Sequence, residues 1–229
     1  MRWSDLRGRV YICVTLFTAL FMNLLSYTAA KLLTADRRHV DMTLPVDAFF
    51  PFLPWTVVLY LGCFLFWAIN YFTCARSGRP DSDRLFCADV MTKVICFVIF
   101  VCVPTTNIRP DVSGSGVCVW LMKMVYRVDS ADNLFPSLHC AVSWLCWAGV
   151  RKNENVSLMH RILSLAMAFI TCICTLTTRQ HVIVDTFSGV LIAEVCYRLA
   201  AAPVLKNCYG RFADRTSELL LRVISRGKN

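Results

Sequence analysis

Val10–Ala30, VYICVTLFTALFMNLLSYTAA, is 21 residues without a charge, fenced by Arg9 and Lys31. That length matches one helical crossing of a bilayer core. It exceeds the apolar region of a signal peptide, and no A-x-A-like cleavage site follows it directly. Five more apolar segments follow, at about 54–75, 86–103, 136–150, 162–178 and 182–202. The first of these is preceded by Phe49-Phe50-Pro51-Phe52-Leu53, suited to an interfacial approach. The 86–103 segment carries Asp89 and Lys93, and Lys93 can snorkel to a membrane face. The expected fold is therefore all-α: one integral membrane domain over residues 1–229, a bundle of six transmembrane helices, with 203–229 as a basic tail.

Composition supports this class. The chain is 57% hydrophobic and 17% charged, with a mean hydropathy of +0.54. A soluble domain of 229 residues rarely carries so much apolar surface. Most of the 13 cysteines lie within apolar runs, where they act as small hydrophobes, and no C-x-x-C or zinc-finger spacing occurs. The net charge of +9 comes from Lys and Arg gathered at the ends of apolar runs. That distribution marks membrane orientation and argues against a nucleic-acid partner. With the N-terminus, the second and fourth connections and the tail on one side, fifteen Lys and Arg face seven on the other. The positive-inside rule then places both termini in the cytoplasm. The starts of segments four and six fall together on the extracytoplasmic side.

Those two starts carry the chemistry. Phe135-Pro136-Ser137-Leu138-His139 opens segment four, with Pro where a missing N–H is harmless and Ser137 beside the free N–H groups of a helix start. His181 and Asp185 open segment six at a spacing that stacks them on one helix face. A phosphate ester needs its oxygens held, an attacking group and a proton for the departing oxygen. Arg109 and Ser137 can hold oxygens. One imidazole can attack phosphorus while a carboxylate fixes its tautomer, and the other can act as acid. Residues 117–128, with Lys123 and Arg127 in an apolar run, read as a short interfacial helix.

Plainer readings exist for each part. His139 alone fits a helix-start residue, and His181-x-x-x-Asp185 alone fits a helix-surface hydrogen bond. Glu194 fits an ion pair with Arg198, and Lys123 and Arg127 fit interfacial anchors. What outweighs these is the placing of His139, His181, Asp185, Ser137 and Arg109 on one face. A proton-coupled transporter using the His181–Asp185 pair is the non-enzymatic alternative. A lapsed enzyme that only binds lipid headgroups is a third.

The motifs resemble a known family. Phe135-Pro136-Ser137-Leu138-His139 and His181-x-x-x-Asp185 are similar to the second and third motifs of the type-2 phosphatidic acid phosphatase superfamily, and Arg109-Pro110 to the end of its first. The resemblance implies His181 as the nucleophile forming a phosphohistidine, Asp185 as its orienting partner and His139 as general acid. It implies phosphate binding by Ser137 and Arg109, with neither metal nor other cofactor. The substrates it implies are a lipid phosphate or phospholipid donor and an acceptor that is water or a lipid alcohol. Three positions depart from the pattern: Cys102 stands in place of a Lys, Thr175 in place of an Arg, and Leu138 in place of a frequent Gly. Arg179, Lys123 and Arg127 are the candidate replacement cations. These departures look more like the inositol phosphorylceramide synthase and sphingomyelin synthase branch, which transfers a phosphorylated headgroup between lipids.

Overall fold

The computed structural model describes residues 5–226. Arg2 and Lys228, which contribute to the orientation count, lie outside the described residues, as does the end of the 203–229 stretch. The helices are α1 (Leu6–Thr34), α2 (Val57–Ala75), α3 (Arg79–Cys102), α4 (Val117–Val128), α5 (Leu138–Val150), α6 (Leu158–Thr177), α7 (Ile183–Leu199) and α8 (Pro203–Arg226). The strand content described is one parallel pairing of β1 (Val40–Asp41) with β2 (Thr105–Thr106), Val40 opposite Thr105.

Local signals explain the helix starts. The Asp5 carboxylate accepts the Gly8 N–H at 2.7 Å, and the Ser157 hydroxyl accepts the His160 N–H at 3.3 Å, so each caps its helix. Gly78 turns the chain into α3 at a φ of 63°, a conformation costly for residues with a Cβ. This moves the start of the third segment forward to Arg79, ahead of the apolar run at residue 86.

Four helical stretches are long and apolar enough to cross a membrane: Leu6–Thr34, Pro54–Ala75, Arg79–Cys102 and Leu158–Thr177. A fifth arises if α7 and α8, bent by 90° to one another, are counted as one span. α5 is apolar but has only 13 residues. The stretch assigned to a basic tail is thus helical as far as Arg226. α4 covers the same 117–128 run that the sequence marked as a short helix.

α5 is the hub, packing against α2, α3, α6 and α7. Its Ala141, Leu145, Cys146 and Ala148 are fully buried and meet Ala193 and Cys196 of α7 in the main core. Large apolar residues of the surrounding helices point outward, among them Phe17, Leu20, Leu65 and Phe187. A bundle that leaves so many large apolar side chains on its outer surface suits an apolar solvent.

Lys93 does not snorkel. It is 2% exposed and donates to Asp89 at 2.7 Å and to the Ala19 carbonyl at 2.7 Å, while Tyr71 donates to the other Asp89 oxygen at 2.6 Å. The i,i+4 spacing places the carboxylate within reach of the ammonium inside the core, so the pair neutralises itself there. The expected Glu194–Arg198 pair forms at 2.7 Å, and Arg151 adds two bonds to the same carboxylate.

Candidate active site

The starts of α5 and α7 lie side by side. The Ser137 N–H donates to the Asp185 carbonyl at 3.0 Å. A Cβ on Gly189 would sit 2.3 Å from the Ser137 carbonyl oxygen, so α5 can enter here only because α7 carries a glycine. Thr105, in the small strand pairing, accepts the N–H groups of Leu134 and Phe135 at 3.1 and 2.8 Å through its hydroxyl and fixes the approach to α5. On the α7 side, the Thr175 carbonyl accepts the N–H groups of both Gln180 and His181. The buried Asp47, from the connection after α1, accepts the Ile183 N–H at 2.7 Å. Two distant connections therefore hold the two histidine-bearing turns.

Within this frame the His181 Nδ1 and Asp185 Oδ2 are 3.3 Å apart, and the same oxygen accepts the Val182 N–H at 3.1 Å. The carboxylate thus grips one face of the imidazole and leaves Nε2 for a substrate. Burial alone would depress the His181 pKa, but the Asp185 hydrogen bond and charge more than offset it, so the ring is held above its ordinary value. The His139 ring lies 5.8 Å from that of His181, centroid to centroid. Its Nε2 is 2.9 Å from the Tyr60 hydroxyl, and the Tyr60 and Trp67 rings pack at 4.9 and 5.5 Å.

Both histidines line one cavity of about 460 Å³. Its long wall is apolar, built from residues such as Leu24, Phe64, Trp67, Phe100 and Val128. Its polar end adds Asp129, Asp132 and Asn133. The Tyr27 hydroxyl donates to Asp129 at 2.7 Å, and Lys31 pairs with Asp132 at 3.5 Å. Among the described residues lining this cavity there is no Lys or Arg.

The predicted site residues separate accordingly. His139, His181 and Asp185 come together. Ser137 is fully buried and accepts the Cys140 N–H at 3.3 Å, so it caps α5 beside the site. Arg109 donates to the Gln180 side chain at 2.6 Å and to the Asp129 carbonyl, and stacks 4.6 Å over Tyr126. With Lys123 and Arg127 it lines a separate outer cleft of about 510 Å³. Arg179 is turned away: its guanidinium donates to the Asp47 and Phe50 carbonyls at 3.1 and 2.7 Å. Cys102 and Thr175 are not answered by a cation in the cavity. Arg37 donates to the Val101 and Cys102 carbonyls, and Thr175 is buried against Cys140 and Thr186.

Sequence reasoning missed Tyr27, Tyr60, Asp129, Gln180 and Gly189. Gln180 was visible only as a neighbour of His181, Gly189 lies one helical turn beyond Asp185, and Tyr27 and Tyr60 are far from either motif. Buried polar atoms without a partner at this end include Asp185 Oδ1, Gln180 Nε2, Arg109 Nε, Asn107 Oδ1 and Asn133 Nδ2. Among the described residues no group of three or more His, Cys, Asp and Glu is arranged to hold a metal ion. No family model matches the chain, and no curated protein or solved structure does either.

Proposed function

We propose that the chain is a six-span membrane enzyme, with both termini cytoplasmic, that moves a phosphorylated headgroup from a phosphodiester lipid to another alcohol. The observation that carries the reading is the shared cavity: a carboxylate-held His181 and a second imidazole meet at the polar end of a long apolar slot. In the reaction the His181 Nε2 attacks phosphorus and the bond from phosphorus to the lipid oxygen breaks. His139 gives its proton to that oxygen, leaving the headgroup phosphate on His181. In the second half the acceptor hydroxyl gives its proton to His139, and its oxygen takes the phosphorus from His181. Tyr60 positions the His139 ring, and the apolar wall takes acyl chains.

The charge of the cavity favours transfer of a diester headgroup over hydrolysis of a phosphate monoester. A monoester dianion beside Asp129, with no Lys or Arg in the wall and Lys31 already engaged by Asp132, would meet more repulsion than a singly charged diester. A diester brings one negative charge and a headgroup whose hydroxyl or ammonium groups can meet the carboxylates. Release of free phosphate is the second reading; the outer cleft with Arg109, Lys123 and Arg127 favours it as a store of positive charge nearby.

The test incubates purified protein with labelled phosphatidic acid or with a labelled phosphodiester lipid, each with and without diacylglycerol or ceramide, and follows free phosphate and new lipid together. Transfer predicts a new phosphorylated lipid only when acceptor is present, and none with His181→Ala. Free phosphate that depends on His181 would make the protein a lipid phosphatase instead. Full turnover in His181→Ala would overturn both, and proton-coupled uptake without conversion would favour transport.

A further inference from the structure

α8 leaves α7 at a right angle, with Pro203 at its first position. If α7 crosses the membrane, as the proposed function holds, α8 runs along the membrane plane. Its roll about its own axis is fixed. Tyr209, Gly210, Ala213 and Ser217 are buried against α1 and α3, and a Cβ on Gly210 would meet the Asp83 carboxylate at 2.9 Å. Asp214 pairs with Arg79 at 2.7 Å, and Glu218 pairs with Arg7. These are the two acids of the helix, and both are engaged by cations of other helices.

The roll also fixes which side faces deeper. The Tyr209 ring stacks on Phe86, about two turns into α3, whereas Asp214 reaches Arg79 at the first residue of α3. At about 100° per residue, Phe212, Leu219 and Val223 fall on the Tyr209 side. They form a stripe with exposures of 49%, 61% and 68%. Arg211, Arg215 and Arg222 form the adjoining stripe, exposed and without an ion pair among the described residues. An apolar stripe turned inward along the bundle, flanked by free arginines at the level of its end, fits a membrane interface.

We infer that α8 is an interfacial helix that seats Phe212, Leu219 and Val223 among the acyl chains of the leaflet at the end of the bundle opposite the histidines, and recruits anionic phospholipid through Arg211, Arg215 and Arg222. The charge on this face selects the occupant: a second copy would set arginine against arginine.

The experiment places the full chain, with Cys13→Ser, Cys102→Ser and Cys208→Ser, in lipid nanodiscs and labels Val223→Cys or Ser225→Cys with a fluorophore. Ser225 lies on the Asp214 side. Brominated acyl chains should quench the label at residue 223, and aqueous iodide the label at 225. In discs of mixed phosphatidylcholine and phosphatidylglycerol, quenching at 223 should favour brominated phosphatidylglycerol. Changing the three arginines to Gln should weaken that preference by about fivefold per arginine removed. Equal quenching at both positions, absence of a lipid preference in the parent, or label-to-label contact between two copies would each overturn the inference. A chain that fails to insert would instead sink the six-span reading, which the inference rests on.

Discussion

The two ends of the bundle are built on opposite rules. At the end away from the histidines the helices are tied by ion pairs: Arg79 with Asp83 and Asp214, Arg7 with Glu218, and Glu194 with both Arg151 and Arg198. At the histidine end Asp185 Oδ1, Gln180 Nε2 and Arg109 Nε stay unpartnered although buried. An unpaired buried polar group costs about 1–3 kcal/mol, so the turns around the histidines are held at some cost in stability. The lesson is that charged pairs hold the helices at one end, whereas at the other the polar groups around the two histidines are incompletely paired.

The contrast can be broken experimentally, starting with the largest effect. His181→Ala should reduce headgroup turnover by about 10⁴-fold or more, and His139→Ala by about 10²–10⁴-fold. Thermal unfolding in detergent should stay close to that of the parent for both. A large drop in melting temperature for either would assign the histidines to the structural end of the comparison. Lys93→Met should do the reverse. Leaving Asp89 charged in the core costs about 3–5 kcal/mol, read as a lowered unfolding midpoint, while the folded fraction keeps its turnover. Equal loss of turnover per folded molecule would link the core pair to catalysis.

Gly189→Ala tests the joint between the starts of α5 and α7 at the histidine end. The added methyl group meets the Ser137 carbonyl, and relieving the clash costs about 1–3 kcal/mol and separates the turns bearing His139 and His181. Stability and turnover should therefore fall together, and a variant that loses neither would show that α7 can shift freely. The smallest and sharpest effect concerns pH. Attack requires neutral His181, so turnover should rise with pH through the elevated pKa of that ring. Asp185→Asn removes the interactions that hold the pKa up, so the acid limb of the kcat/KM profile should move to lower pH even as the maximum rate falls. An unmoved limb would mean that another group sets it.

Much of the architecture was legible because apolar length is a local property. The 21 uncharged residues from Val10 needed only counting, and residues 117–128 were recovered as the helix α4. Lys93 was misread because snorkelling and internal pairing look alike until the neighbouring helices are in place. The same holds for Arg179. Its position beside His181 suggested a phosphate ligand, yet a φ of 53° at Arg179 and the carbonyls of Asp47 and Phe50 send its side chain the other way.

The sequence by itself determined the helical, apolar character of the chain and the pairing of His181 with Asp185, because both depend on spacing within one segment. It also named His139 as a candidate partner. Only the tertiary structure decided that the two imidazoles share a cavity. It also decided that Tyr27, Tyr60 and Asp129 complete the wall, and that the arginines expected there lie elsewhere. The physical reason is close packing between helices distant in sequence. A glycine at 189 admits the start of α5, Thr105 and Asp47 pin two turns from remote connections, and each side chain's direction follows from neighbours that no local pattern encodes.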